Sequence, residues 1–215
     1  MKTIILSMFL AFFAVSQTFS AEFDEEFFPF HQIGAYITGK GCVNTVDPPQ
    51  GVKNDFQLSK MPDIGVKFSY QFQPTSSSKV FAELSYLSVY YKEKLYNNSS
   101  INWINEFHYF NLGVGFEFSS MFLSLNLGLP SSGKSSSGKW GIYVVVPPDL
   151  KTEEMNTMFQ IRFGGAIPIF QNRIGSLNFL IFGDYFLVGA LTQELNYNPR
   201  VASLSIGLNY MFNIR

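Results

Sequence analysis

The chain contains very little cysteine and histidine. Its 215 residues include one cysteine, Cys42, and two histidines, His31 and His108. A single thiol excludes an internal disulfide, a four-thiolate zinc site and an iron–sulfur cluster. Two histidines cannot supply a multi-histidine metal site. We therefore predict neither a metal nor a cofactor.

Charge of either sign is also scarce. The chain has 15 Lys and Arg against 16 Asp and Glu, a formal net charge of −1, and only 14% of its residues are charged. A nucleic-acid-binding protein needs a basic excess to neutralise phosphates, so this balance argues against a nucleic-acid partner. The 47% of hydrophobic residues and the 24 Phe exclude a disordered chain. The length allows one domain with a sizeable core.

Long apolar runs are absent except near the N-terminus. There Lys2 precedes an apolar run over residues 4–15, which is followed by small and polar residues. This order is typical of a secretory signal peptide, and the run is too short to span a bilayer. We predict that residues 1–20 are removed by cleavage after Ser20, with cleavage after Ala21 as the alternative. Beyond this run no segment is long and apolar enough for a membrane helix.

Eight segments alternate apolar residues with polar or small ones, which is the period of a β-strand. No segment shows a helical period of useful length. The pattern therefore predicts an all-β protein with eight strands of about ten residues. Five segments are regular and three are less so: 64–72, 107–118, 121–129, 159–167 and 202–212, then 32–41, 79–92 and 176–189.

The predicted connections alternate between long and short along the chain. In an antiparallel up-and-down barrel, this alternation places all long loops at one end and all tight turns at the other. Outer-membrane barrels have that asymmetry. The long connections are 42–60, 93–102, 130–156 and 190–200, and the short ones are 73–78, 119–120 and 170–175.

The strand face that carries the polar and small residues indicates which side of the barrel wall is in contact with water. It is rich in Gly, Ser, Asn and Gln and carries isolated charges, whereas a water-exposed face would carry many more Lys and Glu. In a membrane barrel the apolar face meets lipid and the polar face lines the lumen. We therefore predict a transmembrane barrel with a lumenal charge network of Lys67, Glu83, Glu117 and Arg162, with Asp184 as a candidate further member.

Aromatic residues gather near the predicted strand ends. Such girdles mark the two lipid–water boundaries of membrane barrels. Towards the turn end lie Phe72, Phe118, Phe170, Tyr210 and Phe212, and towards the loop end lie Tyr90, Tyr91, Trp103 and Tyr143.

The last predicted strand carries a recognisable pattern. Ser205, Gly207, Tyr210 and Phe212 have the spacing of the terminal signal of bacterial outer-membrane barrels. The chain thus resembles the small outer-membrane β-barrel family, the eight-stranded OmpA/OmpX-like type described as a porin-family domain. One departure is that residues 213–215 follow Phe212, whereas many members end at the aromatic.

The resemblance has several implications for location and partners. It implies the outer membrane and cell surface of a Gram-negative bacterium, and outer-membrane lipid and lipopolysaccharide around the barrel. It also implies that the barrel-assembly machinery reads the four signal residues. The expected organisation is a signal peptide (1–20), a periplasmic lead-in (21–31) and the barrel domain (32–215).

An eight-stranded barrel is just wide enough for its own side chains. We therefore expect a structural or surface-interaction role carried by the long loops, with no transport of large solutes and no enzymatic activity. The sequence does not identify the ligand of the loops.

Two alternatives remain open at this point. A lipid-modifying enzyme similar to lipid A deacylases would need a Ser and a carboxylate beside His108, although Phe110 replaces the Ser that follows the His in those enzymes. A secreted lipocalin-like carrier would have the two strand faces inverted.

Residues 128–135 spell a phosphate-binding loop, but no helical pattern follows them, so we expect a surface loop there.

Overall fold

The computed structural model describes residues 31–72, 78–98, 101–135, 148–192 and 197–214. The predicted signal peptide and residues 21–30 of the predicted lead-in lie outside the described residues. Within the described ranges, no helix has the length and hydrophobicity needed to cross a membrane.

Strands dominate the described chain. Eleven strands and one short 3₁₀ helix, Thr152–Glu154, account for its regular structure. The strands are β1 (His31–Asn44), β2 (Val52–Asp55), β3 (Gln57–Leu58), β4 (Asp63–Gln71), β5 (Ser78–Leu95), β6 (Asn102–Phe118), β7 (Met121–Lys134), β8 (Asp149–Leu150), β9 (Met158–Gln171), β10 (Gly175–Phe186) and β11 (Val201–Ile214).

The eight long strands close into one antiparallel ring. Their order is β1-β4-β5-β6-β7-β9-β10-β11, and β11 pairs with β1 from His31–Ile214 to Asn44–Val201. The predicted eight-stranded up-and-down barrel is confirmed. Connections 72–77, 119–120 and 172–174 lie at one end, here called the turn end. The other connections lie at the opposite end, here called the loop end.

Two predicted loops are wrong at their boundaries. Strands β5 and β6 pair as far as Lys94 and Asn102, so the predicted loop 93–102 is strand at both of its ends, at residues 93–95 and 102. Strand β7 continues to Lys134, so the predicted loop 130–156 begins later, and the predicted surface loop at 128–135 is almost entirely strand. The alternation is hidden there because polar residues occupy both faces beyond the apolar band. The extended backbone also rules out a phosphate-binding loop, which must curve around its ligand.

The first long connection, 45–62, folds into the barrel wall. Towards the loop end β4 reaches only Asp63, whereas β5 continues to Leu95, so the wall would otherwise have an unpaired edge there. Strand β2 pairs with the end of β5 and β3 pairs with β1, which covers that edge.

In the middle of the wall, exposed apolar side chains point outward and the charged side chains point inward. Leu112 is 56% exposed and Ile64 is 53% exposed, whereas Arg162 is 2% exposed. This is the arrangement of a membrane barrel, because a soluble barrel buries its apolar face. The lipocalin-like alternative is therefore excluded. Other exposed members of the band are Ile33, Ile37, Val66, Phe68, Leu84, Phe110, Val114, Phe116, Leu123, Leu125, Leu204, Ile206 and Leu208.

The aromatic girdle predicted for the turn end is present. Phe72, Phe118, Phe170 and Phe212 are all more than half exposed there. At the loop end other aromatics, Phe159 and Tyr185, are exposed on the outward face. The prediction is wrong for Tyr91 and Trp103, which are buried inside the barrel, and for Tyr90, which is also buried, and Tyr143 lies outside the described residues. The strands at this end pack their aromatics against each other within the barrel.

Candidate functional site

The centre of the lumen contains a buried arginine between two carboxylates. Arg162 on β9 donates from Nε to Asp184 Oδ1 at 2.7 Å and from Nη1 to Glu83 Oε1 at 2.5 Å. Its guanidinium carbon also lies 4.4 Å from the centre of the Phe182 ring. Glu83 belongs to β5, which is not paired with β9, so the ion pair crosses the lumen.

A second ionic group lies closer to the turn end. Lys67 Nζ on β4 donates to Glu117 Oε2 on β6 at 2.8 Å, and Lys79 Nζ lies 3.9 Å from the other oxygen of Glu117. The Lys67 ammonium also lies 3.9 Å from the centre of the Phe81 ring. The structure therefore places all four residues of the predicted lumenal network inside the barrel, in two separate groups. Asp184 joins the first group.

Sequence reasoning missed a third buried pair. Lys40 Nζ lies 2.6 Å from Asp63 Oδ2, with side chains 1% and 0% exposed. Asp63 falls one residue before the predicted strand 64–72, and Lys40 belongs to one of the less regular segments. The alternation of side chains along β1 could have identified Lys40, because it places Lys40 on the same inward face as Tyr36 and Thr38. The three groups together balance four cations with four carboxylates.

An apolar cluster closes the barrel between these charges and the loop end. Its members are all buried, and it includes residues from the connections that follow β7 and β10. In the part of the chain that the structure describes, these side chains fill the lumen at this level. The cluster consists of Cys42, Leu87, Val89, Tyr91, Phe107, Tyr109, Met155, Met158, Phe186, Ala190, Leu191 and Val201.

A polar network covers the apolar cluster at the barrel mouth. The Tyr197 hydroxyl donates to Glu93 Oε1 and accepts a hydrogen bond from the Asn44 amide. Asn105 donates to the second oxygen of Glu93 at 3.1 Å, and the Ser135 hydroxyl donates to Asn105 Oδ1 at 3.1 Å. The network joins β1, β5, β6 and the connection before β11.

The last two long connections are joined to each other. The Asn156 side chain donates to the carbonyls of Gly189 and Leu191 at 2.8 and 2.6 Å, and its backbone N–H donates to the Ala190 carbonyl at 2.9 Å. Asn198 donates to the same Leu191 carbonyl at 2.7 Å and accepts the Leu191 N–H at 3.0 Å. The described parts of the loop end thus form one hydrogen-bonded platform.

His108 has a serine partner, but the serine is inaccessible. Ser88 Oγ lies 3.1 Å from His108 Nδ1 across β5 and β6. Tyr86 stacks on the imidazole at 5.8 Å between ring centres, and Tyr90 contacts it edge-on at the same distance. Ser88 is 0% exposed. A nucleophile must reach its substrate, so this pair lacks the access that an esterase needs.

The predicted assembly signal lies on β11, which closes the ring. Ser205 and Gly207 are on its inward face, and Tyr210 and Phe212 are on its outward face with ring centres 4.6 Å apart. A Cβ on Gly207 would lie 2.1 Å from the Ile37 carbonyl oxygen on β1. Glycine therefore allows the close approach of the first and last strands.

Among the residues that the structure describes, no group of three or more His, Cys, Asp or Glu is arranged to hold a metal ion. Cys42 is buried in the apolar cluster.

No protein-family model and no curated protein sequence matches the chain. Solved structures of barrels do. Neisserial surface protein A is 12% identical with a TM-score of 0.41, over 86% of this chain and 97% of that one. Ail of Yersinia pestis is 16% identical with a TM-score of 0.39, over 84% and 98%. AlkL in lipid bilayers is 11% identical with a TM-score of 0.44, over 90% and 95%.

Proposed function

We propose that this chain is an integral outer-membrane protein of a Gram-negative bacterium with a structural or surface-interaction role. The observation that best supports this proposal is that an outward apolar band surrounds a lumen closed by ion pairs and an apolar cluster. The barrel is then a rigid support, and the joined loop end is the part available to a partner. Recognition commonly lies on loops held by such a scaffold.

The closed lumen supports the absence of large-solute transport. The Arg162 group spans the barrel, and the apolar cluster above it contains twelve buried residues. A conducting barrel of larger strand number keeps its lumen open to water. In liposomes that contain the purified protein, we expect no swelling in a sugar solution beyond that of protein-free liposomes.

The proposed role does not include catalysis. The inaccessibility of Ser88 beside His108 supports this part of the proposal. Cells that produce the protein should show lipid A of unchanged mass. A mass loss equal to an acyl chain that disappears in the His108→Ala variant would instead establish the lipid-modifying alternative.

The proposal includes export through the signal peptide 1–20, cleaved after Ser20 or Ala21, and insertion by the barrel-assembly machinery through the β11 signal. Lipid and lipopolysaccharide surround the barrel, and the ligand of the loops is unidentified.

Electrophoresis of the membrane-extracted protein in SDS, unheated against boiled, is the decisive test. A closed barrel resists SDS until it is boiled, so we expect a mobility shift together with recovery in the outer-membrane fraction. Identical mobility and recovery in the soluble fraction would refute the proposal.

A further inference from the structure

The outer surface of the wall carries a lysine cluster just beyond the apolar band. Lys53 on β2 and Lys92 and Lys94 on β5 point outward from paired strands, with Lys53 opposite Lys94. The inward positions between them carry Asn54 and Glu93, which belong to the polar side of the wall. These lysines therefore face sideways, towards whatever surrounds the barrel, and do not point into the lumen.

This cluster has an excess of positive charge. Among the described residues, Asp55 is the carboxylate paired with these lysines, at 2.9 Å from Lys94 Nζ and 3.7 Å from Lys92 Nζ. Lys53 Nζ lies 5.0 Å from the centre of the Tyr96 ring. The facing residues on β6 are the uncharged Asn102 and Ile104. Three cations against one anion leave a local charge of +2, because the nearby Glu106 is paired with Lys134 at 3.9 Å.

Height on the barrel identifies the surroundings of the cluster. Along the outward face of β5, Leu84 is exposed in the apolar band, Tyr86 is partly buried and Tyr90 is buried. Lys92 comes one outward step after Tyr90, about 7 Å further along the strand. Val80 lies near the turn end of the same strand, and at about 3.4 Å per residue and a tilt of about 40° Lys92 stands about 31 Å higher. The apolar band of an outer-membrane barrel is about 25 Å tall, so the lysines stand at the level of lipid headgroups.

An exposed apolar shelf adjoins the lysines. Phe56, Leu58 and Met61 in the first long connection are 57%, 64% and 46% exposed. The Phe56 ring lies over Gly41 on the outward side of β1, and Leu58 is paired with Gly41. The shelf continues the apolar surface of Ile64 towards the loop end, so apolar and cationic surfaces meet at one place on the wall.

We propose that this amphipathic surface, formed by Lys53, Lys92 and Lys94 above Phe56, Leu58 and Met61, binds a phosphorylated glycolipid of the outer leaflet. The lysines contact the phosphates and the shelf contacts the apolar part of the lipid. A lipid fits better than a soluble polyanion, because the site faces sideways and is continuous with the lipid-facing band. The inference rests on the proposed outer-membrane location.

Native mass spectrometry of the detergent-purified protein, titrated with bisphosphorylated lipid A, tests the inference. We expect the Lys53→Gln, Lys92→Gln, Lys94→Gln triple variant to bind about tenfold more weakly than the wild type, since each lysine near a headgroup adds a favourable electrostatic contribution. The matched control is Lys151→Gln, Arg173→Gln, Arg200→Gln, which removes the same charge from exposed positions elsewhere and should bind as the wild type does.

If the triple variant does not fold, the Asp55→Asn variant tests the same lipid-binding inference. Removing the competing carboxylate should tighten binding, whereas a purely structural role of Asp55 would not. The wild type and the triple variant should bind lipid A without phosphates with the same affinity.

The inference would be overturned if the control variant lost as much affinity as the triple variant, or if the wild type bound dephosphorylated lipid A as tightly as the bisphosphorylated form. Stronger binding of a soluble sulfated oligosaccharide than of lipid A would also overturn it, in favour of an extracellular polyanion. The mobility shift on boiling does not depend on these lysines. A wild-type protein that shows no such shift would therefore count against the proposed function as a whole, and not only against this lipid-binding surface.

Discussion

Arg162 on β9 and Glu83 on β5 form an ion pair across the lumen, between strands that share no backbone hydrogen bonds. The pair therefore connects opposite sides of the wall, and Asp184 on β10 binds the same guanidinium. Lys67 and Glu117 connect β4 and β6, which lie on either side of β5 and are also not paired with each other. In a barrel whose apolar residues face lipid, such lumenal pairs provide the specific contacts that a hydrophobic core provides in a soluble protein.

The Arg162→Gln substitution should strongly destabilise the barrel. It leaves two buried carboxylates close together without a cation, and breaking a buried ion pair in this way costs about 3–5 kcal/mol. Urea unfolding of the reconstituted protein, followed by tryptophan fluorescence, measures the change in the free energy of unfolding.

Two further variants give this measurement its controls. Arg173→Gln changes the same side chain at an exposed position in the turn between β9 and β10 and should stay within about 0.5 kcal/mol of the wild type. Adding Glu83→Gln and Asp184→Asn to Arg162→Gln should restore part of the lost stability. If Arg162→Gln unfolds at the wild-type urea concentration, the lumenal pair does not stabilise the barrel.

Strand alternation was sufficient to predict the ring, the outward apolar face and the inward positions of Lys67, Glu83, Glu117 and Arg162. It failed where both faces of a strand are polar or buried. Glu93 faces inward and Lys92 and Lys94 face outward, so the end of β5 has no apolar period although its backbone is fully paired. Contacts between distant residues, such as Ser88 with His108, depend on the pairing register of the strands, which a single sequence does not state.

The Phe212→Ser substitution should reduce the amount of assembled protein in cells. Phe212 is the final aromatic of the predicted assembly signal and is 51% exposed on the outward face of β11. The fraction of protein with heat-modifiable mobility in the membrane is the measurement. Ile214→Ser is the matched control, because Ile214 is a similarly exposed apolar residue on the same strand, 40% exposed, outside the signal. Equal losses in both variants would indicate a general effect of apolar area on the barrel.

Asp55 should titrate at an unusually low pH. The hydrogen bond from Lys94 at 2.9 Å holds the pKa of the Asp55 carboxyl below its ordinary range. A carboxyl whose pKa is lowered by folding stabilises the folded state above its unfolded pKa, about 3.9, and that contribution is lost as the pH falls through its folded pKa. Carbon NMR of the carboxyl in the wild type should show the low midpoint.

The Lys94→Gln variant isolates the cause of this shift. Without the ammonium, the midpoint of Asp55 should rise towards the ordinary value. The Lys151→Gln substitution, which removes an exposed lysine that pairs with Glu153, should leave it unchanged. An unmoved midpoint in Lys94→Gln would contradict the assignment of the hydrogen bond as the largest cause.

The Asn156→Ala substitution should loosen the loop end and leave the barrel intact. The Asn156 amide joins the connection after β7 to the carbonyls of Gly189 and Leu191 in the connection after β10. Each lost hydrogen bond removes about 1 kcal/mol and leaves a carbonyl without this partner. Protease added to whole cells should therefore cut the variant faster than the wild type within these connections, while the heat-modifiable mobility of the uncut protein is kept. A cleavage rate equal to that of the wild type would mean that the remaining backbone hydrogen bonds and the apolar contacts of Met155 and Leu191 hold the platform together without the Asn156 amide.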